Sequence, residues 1–158
     1  MATTLTASTL KVTVKEEITL NGKKHEYKQE QSIASVNMIS QRIVRVPYTG
    51  TEIILSFGSA IGAGTYVAGD VKYIRVTNLD DANFVKLGLL DSGAGDRAYF
   101  KLEKGDTMIF HNTKLEAKAD TSGAWVAFAD IESINAIADS TLAIPVDIEV
   151  FVASSQSS

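Results

Sequence analysis

Alternation of apolar and polar residues with a period of two is the feature that most constrains this chain. Near the C-terminus it holds without a break, with apolar residues at Leu142, Ile144, Val146, Ile148, Val150 and Val152. Successive side chains of a β-strand point to opposite faces, so this pattern predicts a strand with one buried face. Pro145 cannot donate a ladder hydrogen bond, which places it near the start of that strand or at a sheet edge.

The same alternation predicts a half-buried strand over residues 10–20. Its apolar members are Leu10, Val12, Val14, Ile18 and Leu20. Glu16 interrupts the apolar face, which predicts a bulge or a strand end there, or a partner for the carboxylate. Asn21-Gly22 follows directly and favours a type I′ hairpin turn. The return segment 23–31 is polar apart from Tyr27, which is typical of an edge strand protected by charge.

Further strands are predicted between these two regions, separated by clusters of turn-forming residues. We expect them near residues 41–47, 51–58, 71–78, 83–90, 97–103 and 107–112. Phe128, Ile131, Ile134 and Ile137 recur at a spacing of three, so 128–137 is interpreted as a strand with a short helix as the alternative. The spacing predicts an all-β fold, an antiparallel β-sandwich or a jelly-roll-like barrel.

The length of 158 residues predicts one domain covering 1–158, with an N-terminal arm at 1–9 and a flexible Ser-rich tail at 154–158. The formal net charge is −4 and the 15 basic residues are dispersed, so we expect neither nucleic acid nor a membrane as a partner. No apolar run approaches a membrane span, and the first residues lack the pattern of an export signal. There is no cysteine, which excludes disulfides and thiolate chemistry.

The stretch VTNLDDANFVKL, residues 76–87, raises the question of an ion site. Asn78, Asp80, Asp81 and Asn83 are all potential calcium ligands. The central glycine and the terminal glutamate of a helix-loop-helix calcium site are missing, however. Asn and Asp also favour turns because they hydrogen-bond their own backbone, so a turn is the favoured interpretation and an ion site the alternative.

Catalytic and cofactor motifs are weak throughout. His25 and His111 lie far apart in sequence, and no nucleophile-elbow motif is present. The glycines in segment 58–69 lack the spacing of a phosphate-binding loop. We therefore expect a non-enzymatic protein with no catalytic residue, no metal and no cofactor.

Aromatic and polar residues near turns are the candidates for partner contacts. They are His25, Tyr27, Tyr66 and Trp125, together with the arm 1–9 and the Gly-rich loop 58–69, or, for a ligand-binding module, the loops 59–70 and 91–97. Trp125 is interpreted as a core or interface residue, since a large aromatic side chain usually buries its area. A sugar-binding use of Tyr66 and Trp125 is the alternative.

Several segments together resemble small β-rich structural proteins of tailed bacteriophages, especially those of marine and cyanobacterial phages. They are KVTVKEEITLNGK, SQRIVRVPYTGTEIILSFG, GTYVAGDVKYIRVTNLDDANFVKLGL and DIEVFVAS. The resemblance covers most of the chain, but its motifs are strands and turns, and no functional residue follows from it.

The resemblance implies a capsid decoration or cement protein that binds the major capsid protein lattice and stabilises the shell. A tail or neck component, or a receptor- or sugar-binding module, is the alternative. The implied partners are the major capsid protein or other virion proteins. Further copies of the chain are also expected, with a trimer favoured because cement proteins often sit on symmetry axes. The implied location is the virion, assembled in the host cytoplasm.

Overall fold

The computed structural model describes residues 6–58, 64–91, 97–111, 116–118, 123–126, 128, 130–139, 141 and 143–155. Within these residues the chain forms β-strands, with one 3-10 turn at Ala68–Asp70. The strands are β1 Ser8–Leu20, β2 Lys23–Val36, β3 Met38–Val46, β4 Glu52–Phe57, β5 Thr65–Tyr66, β6 Val71–Asn78, β7 Val85–Asp91, β8 Arg97–Leu102, β9 Thr107–His111, β10 Ile131–Ala138 and β11 Val146–Ser154.

The strands form two larger sheets and a separate two-stranded hairpin. One sheet has the order β5-β4-β10-β7-β8, the other has the order β3-β11-β6-β9, and β1 pairs with β2. All pairs are antiparallel except β4 with β5. Without the hairpin and β5, the remaining strands pair first with last, second with seventh, third with sixth and fourth with fifth. This nested order is that of a jelly roll. The predicted all-β class is confirmed, and among the described strands the sheets stay separate, as in a sandwich.

The main core lies between the two larger sheets. From β11 the alternating Val146, Ile148 and Val150 point inward, each with at most 1% of its surface exposed. Leu87 from β7 and Ile134 from β10 meet them from the opposite sheet. Burying one such side chain contributes roughly 1.5–3 kcal/mol, so these layers supply most of the driving force for folding.

The C-terminal strand is shorter at its start and longer at its end than the alternation predicts. β11 begins at Val146, directly after Pro145, which confirms the position expected for the proline. Ile144 is 46% exposed and precedes the strand, and Leu142 lies outside the described residues. Ser154 is the last residue of β11 and only 2% exposed, so the predicted start of the tail at 154 is wrong. Residues 156–158 lie outside the described chain.

Segment 131–138 is a strand, which confirms that interpretation over a helix. Its pairing with β7 shifts register between Ile131 and Ser133, so a β-bulge lies there. A bulge adds one residue to the face alternation, which allows Ile131 and Ile134 to be buried together at a spacing of three. Phe128 precedes the strand at φ 45° and stacks on Phe57 with 4.3 Å between ring centroids.

Candidate interaction surface on the β1–β2 hairpin

A long hairpin, β1–β2, extends from the sandwich. Asn21 and Gly22 have φ angles of 51° and 76°, which confirms the predicted type I′ turn. From the turn the ladder runs back to Leu10 opposite Ile33, and β2 continues to Val36, beyond the predicted end at residue 31. At ~3.4 Å per residue the hairpin is roughly 40 Å long.

The base of the hairpin packs on the outer face of the sheet that contains β11. Ile33 and Val36 form a small second core with Tyr73 and Ala153. The partly buried residues around it are Leu10, Val12 and Phe151. The Asn37 amide donates to the Ser154 carbonyl at 3.1 Å and ties the start of β3 to the end of β11. The base is therefore fixed to the sandwich by apolar packing and by backbone pairing.

A shallow groove of about 340 Å³ lies beside this base. Its lining consists of Thr6, Ser8, Thr9, Leu10, Val36, Asn37, Met38 and Ile39. Ser8 and Thr9 belong to β1, so the predicted end of the arm at residue 9 is wrong, and Thr6 is the residue before β1 that lines the groove. Residues 1–5 lie outside the described chain. The groove is open and belongs to the junction of hairpin and body.

Beyond the base, the apolar side of β1 is exposed. Ile18 and Leu20 each have 59% of their surface exposed, and Val14 has 37%. The prediction of a half-buried strand is therefore wrong for this half of β1, since no other described element covers it. The bulge expected near Glu16 is also absent from the described pairing, because its carboxylate remains in solvent and needs no local break. The register shift lies between Ser8 and Leu10 instead.

The opposite face of the hairpin is charged and internally neutralised. Its ion pairs are Lys15–Glu17 at 2.9 Å, Lys24–Glu17 at 3.2 Å, Lys24–Glu26 at 2.6 Å and Lys28–Glu30. Hydrogen bonds from Lys15 and then Lys24 lower the pKa of Glu17. Hydrogen bonds to Glu26 and then Glu17 raise the pKa of Lys24. Exposed pairs of this kind add little stability, and their consequence is a face that stays hydrated.

Two of the four predicted contact residues, His25 and Tyr27, lie on the apolar face. His25 is directly opposite Ile18, and Tyr27 is directly opposite Glu16. Tyr27 is 56% exposed. Val14, Ile18 and Leu20, which the alternation assigns to a buried surface, lie on the same face. Glu16, Lys23 and Gln29 share it, and we call it the apolar hairpin face. The polar return segment could have indicated that this half of β1 is exposed, because a strand buried in a sandwich has apolar neighbours across the ladder.

The other two predicted contact residues lie elsewhere. Tyr66 is only 4% exposed and belongs to the main core, so its side chain is not available as the surface contact we expected. Trp125 is 55% exposed, and a core position is therefore wrong for it. In the candidate loops, residues 59–63 and 92–96 lie outside the described chain.

A polar cluster lies beside the hairpin base on the same sheet. Arg75 donates to Glu149 and lies 5.4 Å over the Phe151 ring, while Gln41 donates to Glu149 at 2.8 Å. The hydrogen bond from Gln41 and then that from Arg75 lower the pKa of Glu149. These contacts join β3, β11 and β6 on the sheet face on which the hairpin base packs.

The stretch at 78–83 is a turn, as predicted. The Asp80 carboxylate accepts from the amides of Ala82 at 2.8 Å and Asn83 at 2.6 Å, and the Asn78 carboxamide oxygen accepts from the Asp80 amide at 3.0 Å. The oxygens that could have bound calcium thus hold the backbone instead. Among the described residues, no group of three or more His, Cys, Asp or Glu side chains is placed to hold a metal ion.

This turn makes stability depend on pH. Hydrogen bonds from the amides of Ala82 and Asn83 lower the pKa of Asp80 in the folded state. A depressed pKa stabilises the fold at pH values above the unfolded-state pKa, and that contribution is lost as the pH falls through the folded-state pKa. We expect Asp80→Asn to be less stable than the wild type at pH 7 and the difference to shrink below about pH 4. Urea unfolding of both proteins between pH 7 and pH 3 measures this, and a constant difference would contradict it.

Comparison with protein-family models, with curated proteins and with solved structures gives no match. In the part of the chain that the structure describes, no helix has the length and apolar character needed to span a membrane.

Proposed function

We propose that this chain is a non-enzymatic structural protein of a tailed-bacteriophage virion, namely a decoration protein that binds the major capsid protein lattice and stabilises the shell. The observation that carries the proposal is the β1–β2 hairpin. It is roughly 40 Å long, packs on the sandwich at its base, and exposes apolar side chains on one face while ion pairs neutralise the other. Such a hairpin can reach a neighbouring surface without disturbing the sandwich.

The fold and the sequence resemblance support this proposal. Jelly rolls occur in viral capsid proteins, although lectin domains and cupins also use them. This support is an analogy at the level of the fold, and the surface of the hairpin supplies the specific argument.

The mechanism of stabilisation is contact area. A standard protein interface buries ~800 Å² per partner, and a smaller docking contact becomes effective when many copies act on one shell. The proposal includes association of the chain with further copies of itself, as a trimer at a threefold axis of the shell. No cofactor is required for this role.

A tail or neck component is the second candidate, because the same hairpin could bridge subunits there. The two roles differ in copy number. A decoration protein repeats with the capsid lattice, whereas a neck or tail-tip component occurs only a few times in each virion.

A receptor- or sugar-binding module is a third candidate, favoured by the exposed Trp125. It requires saturable binding to a glycan or to a host-envelope component. Trp125→Ala would abolish that binding and leave attachment to capsid shells unchanged.

The test is quantitative mass spectrometry of gradient-purified virions from the phage culture that encodes this chain. We expect the protein to co-purify with virions at a copy number within a few-fold of the major capsid protein. A few copies in each virion would support the tail or neck role instead. Absence from purified virions would contradict every structural role in the particle.

A further inference from the structure

We infer that the hairpins of two copies bind each other through their apolar hairpin faces, antiparallel and related by a two-fold axis at the level of Ile18 and His25. This pairing deepens the proposed function, on which it rests, because it names a second copy of this chain as the occupant of the apolar hairpin face. The positions of two charges on an otherwise weakly polar surface support it.

In the outer half of the hairpin, the apolar hairpin face carries two charged residues, one on each side of Ile18. Glu16 lies opposite Tyr27, and Lys23 lies opposite Leu20 next to the turn. Within the described chain neither Glu16 nor Lys23 forms an ion pair, whereas Lys15, Glu17, Lys24, Glu26, Lys28 and Glu30 on the other face are all paired. This face thus presents one anion and one cation, about four residues apart along the ladder, on either side of Ile18.

An antiparallel pair makes these charges complementary. When Ile18 of one copy faces Ile18 of the second, the cross-strand pair Glu16–Tyr27 of each copy packs on the pair Leu20–Lys23 of the other. Each Glu16 then lies beside a Lys23 of the other copy, and each Tyr27 ring lies under a lysine, a favourable cation–π arrangement. The symmetry repeats both contacts.

A parallel pair makes the same charges repulsive. With both turns at the same end, each Glu16 would lie at the level of the other Glu16, and each Lys23 at the level of the other Lys23. Like charges at such positions destabilise a packed pair. The charge pattern therefore selects the antiparallel arrangement, which also keeps the two sandwiches at opposite ends of the joint.

The size of the face indicates where the pairing acts. From Val14 to Leu20 the face is ~20 Å long and ~10 Å wide, far below the ~800 Å² that each partner of a stable pair buries. Two free copies should therefore bind weakly, and copies held close together on a shell should bind well through their high local concentration. The pairing links neighbouring oligomers across the shell surface.

Cross-linking of single-cysteine variants tests the inference, since the chain contains no cysteine. The variant His25→Cys retains Ile18 and places its thiol at the expected two-fold axis. A bis-maleimide whose span matches the ~10 Å spacing of face-packed sheets should join two copies efficiently at millimolar protein concentration. We expect the product to be a covalent dimer on denaturing gels.

Two matched variants provide the controls. Thr19→Cys lies on the charged face, so it reports random collision between hairpins. Val14→Cys lies on the same face as His25, but in an antiparallel pair its two copies are ~27 Å apart, too far for the linker. Both variants should give only background cross-linking. Efficient cross-linking of Val14→Cys would indicate parallel hairpins and overturn the inference.

Charge reversal in the His25→Cys background tests the contact between Glu16 of one copy and Lys23 of the other. Glu16→Lys alone and Lys23→Glu alone should each weaken pairing about tenfold, because the symmetric pair contains the contact twice. The double variant Glu16→Lys/Lys23→Glu restores opposite charges and should recover cross-linking. Failure of the double variant to recover it would overturn the assigned contact.

The experiments that test hairpin pairing and the proposed function have independent outcomes. Cross-linking of His25→Cys no higher than that of Thr19→Cys would overturn hairpin pairing, while the virion copy number would be unaffected. Efficient cross-linking of a chain absent from virions would instead retain the pairing and remove the virion role.

Discussion

We expect that replacing residues 13–30 with Asn-Gly leaves the sandwich folded and removes the capsid-shell binding that we propose for this chain. Val12 and Gln31 are directly opposite in the ladder, so a two-residue turn can join them as Asn21 and Gly22 join the native strands. The shortened hairpin retains the apolar contacts of the base. We expect the sandwich to keep a cooperative unfolding transition, because the removed residues are largely exposed and outside both apolar cores. Binding in a shell co-sedimentation assay should fall at least ~10-fold, since multivalency amplifies each lost contact.

A full-length variant with Lys28→Gln and Glu30→Gln is the matched control. It alters the charged face, removes one exposed ion pair and leaves the apolar hairpin face intact. It should sediment with shells as the wild type does. If the shortened chain still bound shells, the docking surface would lie on the sandwich. If the shortened chain unfolded, the hairpin would belong to the cooperative core.

The two strands with the clearest alternation show what a sequence pattern can predict. β1 and β11 both alternate apolar and polar residues, and both are strands. β11 lies between β3 and β6, and the opposite sheet covers its inward side chains, so Ile148 and Val150 are buried. β1 has β2 as its ladder partner, and Ile18 is exposed. Alternation is local, whereas burial depends on which strands become neighbours, so the pattern predicted the strand and not its environment.

The candidate site was predictable to a similar extent. The turn at Asn21-Gly22 and the position of Tyr27 follow from local chemistry, and both were found on the hairpin. Tyr66 was misplaced because β5 is a two-residue strand that pairs in parallel with β4, and no periodicity indicates so short an element. The bulge in β10 likewise gave a strand the residue spacing of a helix. Long-range pairing is thus what the sequence alone left open.

Replacing Asn78 with Ala should destabilise the sandwich strongly. Asn78 is 1% exposed, and the two N–H groups of its carboxamide are shared among three carbonyls, those of Asn83 at 2.9 Å, Glu103 at 3.1 Å and Leu102 at 3.3 Å. Its oxygen accepts from the Asp80 amide. Removing the carboxamide leaves the buried Leu102 carbonyl and three partly buried backbone groups without this partner, at up to ~1–3 kcal/mol for a buried group. We expect a loss of about 3 kcal/mol in the free energy of unfolding, and a decrease of roughly 6–12 °C in Tm.

Asp81→Ala is the control from the same turn, because Asp81 is exposed, and it should change the free energy of unfolding by less than about 0.5 kcal/mol. Chemical unfolding of both variants, followed by circular dichroism, measures the difference. An Asn78→Ala protein as stable as the wild type would mean that water replaces the carboxamide. The expected loss would instead show that Asn78 joins the end of β6 to the end of β8, in opposite sheets. Asn78, which the sequence suggested as a potential calcium ligand, would then act as a link between the two sheets of the sandwich.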